Sequence, residues 1–161
     1  MKDTYRKIGT EWVNIDPHDI LWNSDFINSP LYKDCIERGK SNIEHYVNNN
    51  KTMLSLIINN GGYNSYAIRQ LIYHNSYLSS LICRLQTEGR RRYRMEAMDK
   101  IKAAIAPEYA NLPEFFRIAY SIDDVVHSYF YDTTADLTNQ INKAATAYFY
   151  QSMRDYIYKI L

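Results

Sequence analysis

No stretch of this 161-residue chain approaches the run of apolar residues that crosses a bilayer, about 20 in length. A membrane-spanning role is therefore not expected. The start, Met1-Lys2-Asp3-Thr4-Tyr5-Arg6, is polar with no apolar core after it, which argues against export through a signal peptide. Charge of one sign is lacking too: 19 Lys+Arg against 18 Asp+Glu leave +1, so no global field draws the chain to nucleic acid or anionic lipid. Any charged site must be local. Cysteine is scarce, and Cys35 and Cys83 stand apart, without the close spacing of zinc sites or disulfide frameworks. A reducing compartment fits, and both cysteines fall on apolar helix stripes, where they read as core residues rather than activated thiolates. The expected location is intracellular (cytoplasmic) or within a virion.

Catalytic signatures are equally thin. Gly61-Gly62 precedes a helix, but neither a G-x-x-x-x-G-K nor a G-x-G-x-x-G pattern follows. Asp124 and His127 lie one helical turn apart, as in di-iron bundles, yet His18, His45 and His74 have no matching helical partner. The acids Asp123, Asp124, Asp132 and Asp136 are the kind that helix ends collect for capping and dipole reasons. No catalytic residue, metal or cofactor is expected, and the chain reads as a non-enzyme.

What is present is helical periodicity, and the expected class is all-α: a bundle of about five or six helices. Residues 1–29 lack a sustained helical period, carry Gly9, Pro17 and the turn run Asn23-Ser24-Asp25, and read as an extended N-terminal arm. Trp12, Trp22 and Phe26 in that arm need a surface to bury against, in this chain or a neighbour. Residues 30–161 read as one α-helical domain with no strand. Ser29-Pro30 caps and starts its first helix, whose stripe is Leu31, Cys35, Ile36, Ile43, Tyr46 and Val47. Asn59-Asn60-Gly61-Gly62 ends a second helix. From Ser65 to Gly89 the apolar spacing fits one long helix or two short ones broken at Tyr73-His74-Asn75-Ser76. Met95, Met98, Ile101 and Ile105 mark another helix, stopped by Pro107. The stripes on either side of Asp132-Thr133-Thr134 predict a C-terminal antiparallel helical hairpin.

One feature rises above this background. Arg90, Arg91, Arg92 and Arg94, with Arg84 before them, form a dense positive cluster that invites a phosphate or an acidic partner. Read as a helix start, it opposes the helix dipole and so asks for an external anion. The segment around it resembles a helix-turn-helix or winged-helix module over residues 53–95. The resemblance implies DNA reading by Ser76, Tyr77, Ser79, Ser80 and Arg84, although Ile72 and Tyr73 replace the small turn residue and no wing follows. Tyrosines on both sides of their helices, such as Tyr129 and Tyr131, together with arginine, suit protein interfaces better. The leading expectation is a non-catalytic structural or assembly subunit that contacts copies of itself or other protein subunits. Sixteen tyrosines with abundant Asn and Ile suggest AT-rich coding DNA, which points towards a phage particle or connector component. The alternative is a small DNA-binding regulator.

Overall fold

A computed structural model describes residues 5–8, 11–59 and 64–160, the side chains of 11, 57–59 and 64–67 aside. The chain is all-α apart from one hairpin. In order it forms β1 (Tyr5–Ile8), β2 (Glu11–Asn14), α1 (Pro17–Asn23), α2 (Pro30–Asn49), α3 (Lys51–Asn59), α4 (Asn64–Tyr73), α5 (Ser76–Ala110), α6 (Glu114–Ala119), α7 (Ile122–Thr134) and α8 (Thr138–Ile160). Two compact units result: residues up to Asp25 with Glu88–Ala144, and Phe26–Thr87 with the chain from Ala145 onwards. One boundary lies between α1 and α2, and the other two fall inside α5 and α8.

The first unit corrects two expectations. Where the sequence predicts an extended arm without strands, β1 and β2 pair antiparallel with Arg6 opposite Val13 and Lys7 opposite Trp12. Alternation turns Ile8 inward and leaves Tyr5, Lys7 and Trp12 in solvent. Each strand has only two residues per face, too few for a legible period, and one inward position is a charge. Arg6 Nη2 donates to both carboxylate oxygens of Asp136, at 2.9 and 3.1 Å. Asp16 then caps α1 by accepting from the Asp19 N–H, with Pro17 in the first turn. Ile8, Ile15 and Leu21 are fully buried, so this segment is core. The same unit also buries Tyr93, Ala97 and Ile101 of α5, Val126 and Phe130 of α7, and Leu137, with the Tyr93 and Phe130 rings 6.3 Å apart. Tyr93 is completely buried and its hydroxyl donates to the Ile15 carbonyl at 2.7 Å.

The second unit is built on α2. Ser29 accepts from the Tyr32 N–H and Pro30 occupies the first turn, as the sequence predicts. The buried face of α2 is Tyr32, Cys35, Ile36, Gly39, Ile43 and Val47; Leu31 and Tyr46 stand outside it. Tyr32 carries the contact with α8. Its hydroxyl donates to the Ala145 carbonyl at 2.8 Å and accepts from the Phe149 N–H at 3.0 Å, the two groups that close one turn of α8. Gly39 lets the helices approach at this level, since a Cβ there would lie 2.7 Å from Met153 Sδ and 3.1 Å from Phe149 Cζ.

The break between α4 and α5 settles the choice between one helix and two. Asn75 Oδ1 accepts from the Tyr77 and Leu78 N–H groups at 3.0 and 3.1 Å, capping α5, while its Nδ2 donates to Asn42 Oδ1 at 2.6 Å. Helix α5 then continues for 35 residues through Gly89 and Pro107, where the sequence predicts stops. A glycine inside a helix costs about 1 kcal/mol, which the strong helix formers after it offset. Pro107 sits in the last turn, so the Ala103 carbonyl loses its partner there and only three residues of helix follow. Between α7 and α8 only 135–137 intervene, with the Leu137 N–H bonded to the Thr134 carbonyl at 2.9 Å.

Tyr32→Phe is expected to lower unfolding free energy by about 1–2 kcal/mol, because α8 can close its own turn again once the hydroxyl is gone. Tyr32→Ala also empties the ring's space and should cost about 3–5 kcal/mol. Urea denaturation of both variants checks the order; a Tyr32→Phe variant as stable as the parent chain would show that the hydroxyl bridge contributes nothing.

Candidate interaction surfaces

The arginine run lies in the middle of α5, far from either helix end, so the dipole argument for an external anion no longer applies. Helical geometry sorts the run. Tyr93 points into the core with Gly89 and Ala97, while Arg90, Arg91, Arg94 and Met95 are exposed. Arg90 Nη1 donates to Asn142 Oδ1 at 2.8 Å. Arg91 pairs with Glu88 one turn earlier, holding that carboxyl below the ordinary glutamate range, and its Nη1 lies 3.1 Å from Met95 Sδ. Arg92 is half-buried; Arg94 has no ion pair among the described residues.

The residues assigned to DNA reading do not form one free row. Arg84 meets Asp34 of α2 at 3.5 Å, and Arg38, one turn after Asp34, meets the same carboxylate at 2.8 Å. Tyr77 and Arg38 line the same shallow polar depression with Asp34, Asn42 and His45. Ser80 donates to the Tyr77 carbonyl at 2.6 Å and Ser79 to the Tyr73 carbonyl at 3.3 Å, so both hydroxyls fold back onto the backbone. Ser76 is exposed. Of the three aromatics assigned to neighbour contacts, Phe26 is fully buried in the second unit. Trp22 stacks on His18 at 4.8 Å and donates to the Ala144 carbonyl at 3.2 Å. Trp12 alone is strongly exposed, at 66%.

Other acids and histidines have local roles. Asp124 and Ser121 form a reciprocal capping box at the start of α7, and His127 stacks near Tyr131 with ring centroids 6.2 Å apart. Asp16, His18 and Asp19 bring ligand-type atoms within 4.8 Å of one another, a grouping outside helical spacing because Asp16 is the cap. Capping, the Asn14–Asp19 hydrogen bond at 3.0 Å and the His18–Trp22 stack account for all three. Cys83 is exposed, against the expectation of a core residue, since the buried stripe of α5 there is Leu78, Leu81, Ile82 and Leu85. Cys35 is buried, and that burial raises its thiol pKa.

Two surfaces escape a reading of the sequence. Helix α6 buries none of its six residues, and Phe115 and Ile118 are exposed at 74% and 77%. Beside it a groove of 950 Å³ is lined by Phe116, Ala119, Tyr120, Val125 and Tyr129, with Asp124 and Asp132 on its walls. In the second unit, α4 and α8 form a smaller cleft of 390 Å³ that contains Arg69, Tyr73, Tyr150 and Arg154. Comparison with protein-family models, curated proteins and solved structures finds no match for this chain. Among the described residues, no helix is long and apolar enough to cross a membrane.

Two outcomes follow from this geometry. A thiol reagent should modify Cys83 at once and Cys35 only as the chain unfolds; equal rates would contradict the burial of Cys35. The lowered pKa of Glu88 gives a contribution fully present above its ordinary 4.5 and lost as pH falls through the lowered value. Because Arg91 is half exposed, Glu88→Gln should lower stability at neutral pH by well under about 1 kcal/mol and flatten the acid limb of the stability–pH curve. An unchanged acid limb would place the pair's contribution at nothing.

Proposed function

We propose that this chain is a non-catalytic helical subunit that works through protein–protein contacts, its partner being a second copy of itself. The observation that carries the reading is α6, which holds Phe115 and Ile118 in water at 74% and 77% exposure with no buried residue of its own. Covering two such side chains is worth about 1.5–3 kcal/mol each, and a contiguous apolar patch with a polar rim is a mark of interaction sites. The adjoining groove adds Phe116, Tyr120, Val125 and Tyr129, aromatic and apolar groups of the kind enriched at interface cores.

Charge selects the occupant. Asp124 and Asp132 wall the groove, while Arg91, Arg94 and Met95 stand exposed on α5 as a basic stripe with one apolar anchor. A groove on one copy that receives the stripe of the next is a heterologous contact, which builds rings or filaments rather than closed two-fold dimers. The particle or connector role suggested by coding composition is one setting for such an assembly.

Light scattering over a concentration series tests the proposal. A mass rising above the 19.0 kDa of one chain is expected, and Phe115→Ser/Ile118→Ser should return it to that value with helix content unchanged. A monomer at every concentration would sink the reading. The rival DNA-binding regulator over residues 53–95 gains priority if duplex DNA binds with a steep salt dependence that weakens in Arg90→Ala/Arg91→Ala/Arg92→Ala.

A further inference from the structure

The cleft between α4 and α8 has the make-up of a small-anion site. From α4 come Ile68, Arg69, Ile72 and Tyr73, at spacings of one and four residues that share one side of a helix. From α8 come Ala147, Tyr150, Gln151 and Arg154, at spacings of three and four that form a single stripe. Each helix thus brings one arginine and one tyrosine to the same depression, beside the buried Ile68 and Ile72 and the exposed Ala147. Its volume of 390 Å³ lies in the range of small-ligand pockets, about 300–1,000 Å³.

Charge in the cleft is of one sign. None of its lining residues is acidic. Arg69 is exposed and has no ion pair among the described residues. Arg154 has only its sequence neighbour Asp155, at 3.9 Å, the outer limit of an ion pair and too far for a hydrogen bond. Two guanidinium groups on facing helices, with donors to spare, suit an anion that offers several oxygens, which is the chemistry of a phosphate monoester. Tyr73 and Tyr150 lie with ring centroids 5.2 Å apart at 37°, linking the helices. Burial and the Tyr73 hydroxyl raise the Tyr150 phenol well above its ordinary value, so Tyr150 brings no negative charge to the cleft. Tyr73 remains half exposed and offers a free ring edge and face to a flat group, and Gln151 adds an amide that can both donate and accept.

We infer that the α4–α8 cleft binds a phosphate monoester carrying a flat ring, its phosphate held between Arg69 and Arg154 and its ring laid against Tyr73. This site is separate from the groove and α6 surface proposed for assembly, so its test does not depend on that reading.

Titration calorimetry of the full chain with three probes, phenyl phosphate, adenosine monophosphate and inorganic phosphate, tests the inference. Both ring-bearing probes should bind, each at least tenfold more tightly than inorganic phosphate. Arg69→Gln and Arg154→Gln, on exposed side chains that leave the fold intact by circular dichroism, should each weaken both probes about tenfold, which corresponds to about 1.4 kcal/mol. Tyr73→Ser should remove the advantage of the ring-bearing probes while leaving inorganic phosphate unchanged. No binding of either ring-bearing probe at millimolar concentration, or binding that survives Arg69→Gln/Arg154→Gln, would overturn the site. Equal binding of all three probes would overturn the role given to the ring.

Discussion

The second unit is organised around one buried side chain, Tyr32. Tyr32 reaches from α2 into α8 and stands between the Ala145 carbonyl and the Phe149 N–H, which an uninterrupted helix would bond to each other. A side chain inserted in this way fixes the partner helix in register as well as in distance, because only one turn of α8 presents that pair to it. The neighbouring contacts follow from the same placement. Phe26 meets the Tyr32 ring edge-on at 5.1 Å, Tyr148 lies at 5.8 Å, and Gly39, seven residues on, clears the space that Met153 and Phe149 fill. Burial raises the Tyr32 phenol far above its ordinary pKa, so the proton it donates to Ala145 stays in place throughout the physiological range.

The first unit uses the same device with different partners. Tyr93 is wholly buried on α5, and its hydroxyl holds the carbonyl of Ile15 in the short link between β2 and α1. A tyrosine ring supplies apolar area while its hydroxyl satisfies a carbonyl that no helix or strand would otherwise pair. That bond ties the hairpin and α1 to the long helix, and the Arg6–Asp136 pair adds a second tie from the opposite end of the sequence. The N-terminal segment is therefore part of a core rather than an appendage. Removing it would leave the Tyr93 hydroxyl without its carbonyl.

Capping residues were the most legible part of the sequence. Ser29-Pro30 opens α2 and the turn at Asn75 separates α4 from α5, whereas Asp132-Thr133-Thr134, read as a connection, completes α7 and the break falls at 135–137. The two tyrosines at the unit centres were not legible, for a physical reason. Tyr32 lies one position from Leu31, which looks more apolar, and Tyr93 sits inside a run of arginines whose charge dominates any hydropathy reading. What buries them is a carbonyl within reach of the hydroxyl, and that depends on a segment distant in the chain. The hairpin escaped because its strands are four residues long and Arg6 occupies an inward position. Met95 and Cys83 looked like core residues and are exposed because the true stripes of α5 pass to one side of them. The α4–α8 cleft draws half its lining from residues more than seventy positions away, a juxtaposition that no local pattern encodes.

Helix α6 poses the remaining question, since six residues with no buried side chain should not hold a helix in water. Its order comes from outside its own backbone. The Tyr109 hydroxyl donates to the Tyr120 carbonyl at 2.8 Å and lies 3.3 Å from the Arg117 carbonyl, and Arg117 Nε donates to the Leu112 carbonyl at 3.0 Å. These bonds tie the C-terminal half of α6 to the last turn of α5 and its connection, using polar groups only. The apolar side chains Phe115 and Ile118 take no part in holding the helix, so they remain available to another surface. A contact made by a segment whose backbone is already fixed in this way loses less conformational entropy on docking than one made by a segment that must first fold. The energy that fixes α6 thus comes from the fold of its own unit, while the apolar area it presents is left for association.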